Sequence, residues 1–202
     1  MINRANLKQH AKSSLSNKWG IAIGTLIVAE IILAAASLIP LGSIILIGVV
    51  SVGLIIVYLE IVRNWQCEFG DLFKGFNNFG TNCCCGVLTA IYTFLWSLLF
   101  VIPGIVKAYS YSMSFYILAD NPNMTASEAI TASRAMMDGH KADLFVLHLS
   151  FIPWLLLCGI TFGLAGLYVF PYMQATEAAF YDSIKDEKFA PADNAQFENS
   201  EI

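Results

Sequence analysis

WGIAIGTLIVAEIILAAASLIPLGSIILIGVVSVGLIIVYL, residues 19–59, decides the fold, because these 41 residues carry a single formal charge, Glu30. At 1.5 Å per residue a helix of that length measures roughly 60 Å, about twice the hydrocarbon core of a bilayer. Pro40 and Gly42 interrupt the run near its middle, so it is sized for two crossings joined by a tight turn. The pattern returns twice. No charge falls between Lys74 and Lys107, where Pro103-Gly104 breaks the run, and none between Asp143 and Glu177, where Gly159 to Gly166 does. A chain this short can hardly bury such runs on all sides in water. Composition agrees: 57% of residues are hydrophobic and 13% charged, against about 25% charged in soluble domains.

These runs predict an all-α polytopic membrane protein with six spans, at about 19–39, 41–62, 86–102, 104–119, 142–160 and 163–181. They pair into three hairpins within one domain over residues 1–182. Residues 183–202 are acidic and aperiodic with Pro191, and are expected to form a disordered tail. The short Gly/Pro turns are expected at the surface or packed inside protein, because unpaired backbone is costly in hydrocarbon.

Charge gives the orientation. Lys and Arg collect on the cytoplasmic side of short loops. Arg4, Lys8, Lys12 and Lys18 precede the first span, and Arg63 and Lys74 lie between the first two hairpins. Arg134 and Lys141 lie between the second and third, and Lys185 and Lys188 follow the last. With both termini inside, ten of the eleven basic residues are cytoplasmic, and Lys107 alone lies near the outer end of a span. A signal peptide cleaved near Ala34-Ala-Ala-Ser37 is the competing reading of the start; Glu30 and the second apolar run directly behind it argue against cleavage.

An amphipathic stretch precedes each hairpin. Leu7, Ala11, Leu15 and Trp19 share one face of the first; Phe69, Leu72, Phe73 and Phe76 share one face of the second. Ala126, Ala129, Ile130, Ser133 and Met137 do so in the third, which Thr125 and Glu128 open as a capping box and Gly139 closes. All three are expected as interfacial helices on the cytoplasmic side, their apolar faces in the acyl boundary. The layout reads either as three copies of one unit or as the general habit of loops that re-enter a membrane.

Four blocks carry a resemblance. They are Leu7-Lys8, Ala11-Lys12 and Trp19; Pro103-Gly104 through Lys107, Tyr109 and Tyr111 to Asp120-Asn-Pro122; Ser133-Arg-Ala-Met136 through Gly139-His-Lys141 and Phe151 to Trp154; and Pro171-Tyr172 with Ala178-Ala-Phe180-Tyr181. Together they resemble the bacterial multi-pass domain-of-unknown-function family 975 (DUF 975). That family is similar in layout to the membrane domains of some glycerophosphodiester phosphodiesterases. The resemblance implies a bacterial cytoplasmic membrane and six helices, and it brings no established activity and no catalytic residues. Here Pro153 stands before Trp154 where the family usually has Gly, and Cys83-Cys84-Cys85 lies outside the pattern.

Four ionisable residues within the spans form the candidate polar site. Glu30 lies near the middle of the first span, where a carboxylate costs at least ~2.5 kcal/mol, so it either serves a polar site or is a protonated or paired structural acid. Lys107 can snorkel to the surface or reach towards Glu30. His148 is read as a packing histidine or a proton carrier, and Glu177 as an interfacial acid. Cys67, Cys83, Cys84, Cys85 and Cys158 are read as small apolar packing, since consecutive cysteines cannot easily surround a metal. Glu68 and Asp71 are read as a solvated helix face. Of the G-x-x-x-G pairs, Gly20–Gly24 lies on a span and Gly159–Gly163 at a turn. No H-E-x-x-H, G-x-S-x-G or P-loop occurs, and no dense basic stripe suits nucleic acid.

The expected function is therefore a non-enzymatic module for assembly, envelope homeostasis or lipid interaction, with no cofactor. Its expected partners are membrane lipids and a membrane-protein partner or second copy. The alternative is a small transporter, or transporter subunit, using the intramembrane polar residues.

Overall fold

In the computed structural model, which describes residues 4–38, 42–161 and 163–189, all regular structure is helical among those residues. The elements are α1 (Arg4–Leu15), α2 (Trp19–Ser37), α3 (Gly42–Val62), a 3-10 helix (Phe69–Phe76), α4 (Phe79–Leu99) and α5 (Val101–Tyr111). They continue as α6 (Ser114–Asp120), α7 (Ala126–Met136), α8 (Lys141–Leu149), α9 (Ile152–Ile160) and α10 (Gly166–Phe189).

Helix α3 is the hub, packed against α1, α2, the 3-10 helix, α4, α6 and α10. It is rich in Ile, Val and Gly, which are middling to poor helix formers in water. In hydrocarbon the ranking matters less, because only a helix satisfies every backbone group within the segment. Val49, Val50, Val57, Tyr58 and Ile61 are buried, and Tyr58 donates its hydroxyl to the Ala22 carbonyl at 3.1 Å. Asn64 ends the helix in a left-handed conformation (φ 57°), and the Trp65 amide donates to the Glu60 carbonyl at 2.8 Å.

Four helical segments are long and apolar enough to cross a membrane: Trp19–Ser37, Ile45–Val62, Phe79–Leu98 and Lys141–Ile160. In the α3 segment 61% of residues are buried inside the protein, against 17–22% in the other three. The peripheral helices turn Ile31, Phe94, Leu98, Leu156 and Ile160 outward. Exposed large apolar side chains in this number mark a surface for lipid or protein.

The other expected spans take different forms. Residues 104–119 are divided between α5 and α6 at Ser112–Met113, where the hydroxyls of Ser110 and Ser112 donate back to the Val106 and Tyr109 carbonyls. The expected 163–181 span lies in α10, which holds Pro171 and continues to Phe189, into the expected tail; residues 190–202 lie outside the described residues. So does the expected Pro40-Leu41 break. The second turn falls at Phe100, which is extended, so Pro103 sits in the first turn of α5, where its missing N–H is harmless. Helix α4 starts at Phe79, not residue 86, and so takes in all three consecutive cysteines. The third turn is where glycine spacing placed it, with Gly163 at φ 89°. Between α8 and α9 the chain breaks at Ser150–Phe151, with Pro153 in the first turn of α9.

The amphipathic faces of α1 and α7 differ from expectation in what covers them. Ala11 and Leu15 are buried beneath α10 and α3, and Ala126, Ala129, Ile130, Ser133 and Met137 are buried beneath α4, α5, α6 and α10. Protein, rather than an acyl boundary, receives both faces. The capping box is as read: the Thr125 amide donates to Glu128 Oε2 at 2.8 Å, and Gly139 has φ 89°. The middle stretch is a 3-10 helix that buries Leu72 and Gly75 on α3 while Phe69 and Phe73 stay half exposed. Asp71 is not a purely solvated acid: it accepts from the Glu68 amide at 2.6 Å and pairs with Lys74 at 2.8 Å.

Candidate functional site

The densest polar cluster joins the C-terminal ends of α3 and α6 to the C-terminal half of α10. Arg63, just past α3, donates from Nη1 and Nη2 to the two carboxylate oxygens of Asp120 at 2.8 and 2.9 Å, and from Nε to Asp182 at 3.1 Å. Lys185 pairs with Asp120, and the Tyr181 hydroxyl donates to the same carboxylate at 3.1 Å. The planar guanidinium fork serves both acids at once, which a lysine could not do. Burial works against the charge on Asp120, and hydrogen bonds from Arg63 and Lys185 outweigh it, holding its pKa below the usual carboxylate range. The bond to Asp120 likewise raises the Arg63 pKa, with Asp182 adding to it and burial opposing.

A second cluster contains two of the expected site residues. His148 Nε2 lies 2.9 Å from Glu177 Oε1, and His148 Nδ1 shares a hydrogen bond with the Tyr109 hydroxyl at 3.1 Å. The Tyr116 hydroxyl reaches Glu177 Oε2 at 3.5 Å. Four helices, α5, α8, α10 and α6, thus supply one continuous hydrogen-bonded row. A cavity of about 180 Å³, lined by Ser51, Ser112, Tyr116, Gln174 and Glu177, opens onto its acidic end. Such a row can hold or pass a proton.

Glu30 and Lys107 belong to neither cluster, nor do they meet each other. Glu30 is exposed in an open groove of about 440 Å³ between α2 and α10, among Leu26, Ile27, Ile31, Leu167 and Phe170. The Lys107 ammonium lies 4.7 Å from the Trp96 ring centroid and lines a pocket with Arg134 and Lys141. The one basic residue expected apart from the others therefore stands beside two of them.

The family described as "Protein of unknown function (DUF975)" matches residues 1–110 and 98–188. The chain belongs to that family. No curated protein and no solved structure is significantly similar to it. The two matches in this DUF975 chain together cover every residue of the two polar clusters, so both lie within the family's domain.

Sequence reasoning missed the Arg63 cluster because its bonded partners are 57 to 119 residues apart. The available signal was positional: Arg63, Asp120 and Asp182 each follow directly on an apolar run, where helix ends can gather. His148 and Glu177 were found as individual residues but not as a pair. Among the described residues no three His, Cys, Asp or Glu side chains are grouped to hold a metal. Cys67 and Cys85 are buried, and the Cys85 sulfur contacts the Thr89 hydroxyl at 4.0 Å.

Proposed function

We propose that this chain is a six-span protein of the bacterial cytoplasmic membrane, both termini inside, that works without catalysis as a lipid-interacting module. One observation carries the reading: Glu30, the acid in the middle of the first apolar run, faces an open, largely apolar groove on the outside of the helices. A transport site would be expected to enclose such a carboxylate among water-accessible walls. The exposed apolar sides of α2, α4 and α9 support the same reading. The layout shared with glycerophosphodiester phosphodiesterase membrane domains belongs to this proposal too, as does assembly with a membrane partner or second copy. Extraction in a mild detergent followed by intact-complex mass spectrometry tests it. Retained phospholipid in stoichiometric amount is expected; a chain always recovered bare, with neither lipid nor partner, would overturn it.

A second reading, a small transporter or transporter subunit, is favoured by the row Tyr109–His148–Glu177–Tyr116. In that case proteoliposomes should dissipate an imposed pH gradient faster than empty vesicles, and Glu177→Gln should abolish the difference. Equal rates with and without wild-type protein would remove a proton-coupled mechanism.

A further inference from the structure

Two adjoining cavities share helices α5 and α8 and the side chain of Lys141. The first, about 410 Å³, is polar and is lined by Lys107 from α5, Arg134 from α7 and Lys141 at the start of α8, with Ser110, Thr131 and Asp138. The second, also about 410 Å³, is apolar, lined by Ile102, Ile105, Val106, Tyr109, Ala142 and Phe145 along the same two helices, with Lys141 at its edge. Three cations thus meet at one end of an apolar trough.

The polar pocket favours an anion. Its one carboxylate, Asp138, has a side chain 82% exposed and lies 3.7 Å from Lys141, so it offsets one of the three positive charges and leaves a net surplus. The hydroxyls are already committed, since Thr131 donates to the Ser127 carbonyl at 2.9 Å and Ser110 to Val106 at 2.9 Å. Donors for a ligand must therefore come from the cations. The Trp96 ring holds the Lys107 ammonium at 4.7 Å, which places one of them in advance. A free anion would use this pocket and leave the trough unfilled. A molecule with a phosphate at one end and a hydrocarbon chain behind it would use both, and basic pockets beside membrane helices bind anionic headgroups in this way.

We propose that the two cavities form one site for an anionic phospholipid, its phosphate among Lys107, Arg134 and Lys141 and an acyl chain along α5 and α8. The proposal rests on the lipid-interacting reading above and names the lipid class and its seat, away from the Glu30 groove.

The test titrates the full chain in mild detergent with phosphatidylglycerol or with phosphatidylcholine of the same chain length, and counts bound lipid by intact-complex mass spectrometry. Wild type should bind phosphatidylglycerol more tightly. The double variant Arg134→Gln/Lys141→Gln should lose that preference by about tenfold or more, as the loss of charge-assisted contacts implies. Lys12→Gln, which removes an exposed cation elsewhere, should leave it unchanged. Ile105→Trp, which fills the trough, should weaken both lipids, and excess inorganic phosphate should not displace phosphatidylglycerol. Should the double variant prove unfolded, Lys107→Gln is read in its place, with the same preference expected to fall. A double variant that is folded and still discriminates overturns the site while leaving the lipid-interacting reading intact. Failure of wild type to bind either lipid overturns both. Displacement by inorganic phosphate, with Ile105→Trp without effect, overturns the lipid as occupant in favour of a soluble anion.

Discussion

Arg63 ties three helices together through Asp120 and Asp182, and its removal separates two kinds of electrostatic contribution. Its side chain is 18% exposed and that of Asp120 is 10% exposed, so the pair is only partly screened by solvent. Arg63→Gln keeps much of the bulk but leaves Asp120 and Asp182 with less counter-charge, which should cost roughly 3 kcal/mol, the range for breaking a buried pair. For a chain of this size that corresponds to a fall in midpoint on the order of 10 °C. In a background with the exposed Cys84 changed to Ser, the buried thiols of Cys67 and Cys85 become reactive on unfolding, so the rise in signal of a thiol-reactive fluorophore during heating reports the midpoint. A change below 2 °C would show that the cluster is decorative. The pH dependence has a definite sign. Because the folded pKa of Asp120 is lowered, its contribution is fully present above the unfolded value of about 3.9 and is lost as pH falls through the lower folded value. The raised pKa of Arg63 acts only at the strongly alkaline end, where its contribution is lost as pH rises, and leaves the physiological range flat. Wild-type stability should thus hold from pH 5 upward and fall below about pH 4.

At the scale of elements, the sequence told the long apolar helices from the connections, since hydropathy and length are local properties. Trp19–Ser37 and Gly42–Val62 agree with the runs 19–39 and 41–62 within a few residues, and the α9–α10 turn is at the glycines that announced it. What could not be read was which faces meet. The G-x-x-x-G pair in α2 drew attention to Gly20 and Gly24, yet nothing packs within 4 Å of a side chain at Gly20, and Gly24 faces the ring of Phe69. The close backbone approaches belong instead to Gly48, where a Cβ would collide with the Asn82 carbonyl, and to Gly53, where it would collide with the Leu72 carbonyl. Gly86 and Gly75 are the partners on the facing elements, so the fit is made by glycines 22 to 38 residues apart, a spacing no periodicity records. The amphipathic faces of α1 and α7 show the same limit. A period of 3.6 residues identifies an apolar face but does not say whether protein or lipid will cover it. Among the candidate site residues, His148 was legible as a packing histidine or proton carrier in an apolar run and Glu177 as an interfacial acid. Their pairing, and the tyrosines at either end, needed the packing of four helices.

At the scale of the whole molecule, the decisive asymmetry is in the cations. In the proposed orientation ten of the eleven basic residues are cytoplasmic, and Lys107 lines a pocket with Arg134 and Lys141. Under the proposed topology, the cost of carrying several cations through hydrocarbon, each at least ~2.5 kcal/mol by insertion scales, opposes the reverse orientation. Lys12, exposed on α1, and Asn123, exposed in the turn before α7, report the two loops that this orientation places in the cytoplasm. In a background with Cys84, the one exposed native thiol among the described residues, changed to Ser, single cysteines at these positions should resist a membrane-impermeant maleimide in intact cells. They should react once the membrane is opened, because both positions are exposed on the protein itself. Labelling of either position in intact cells would reverse the orientation and, with it, the leaflet from which the cationic pocket draws its lipid.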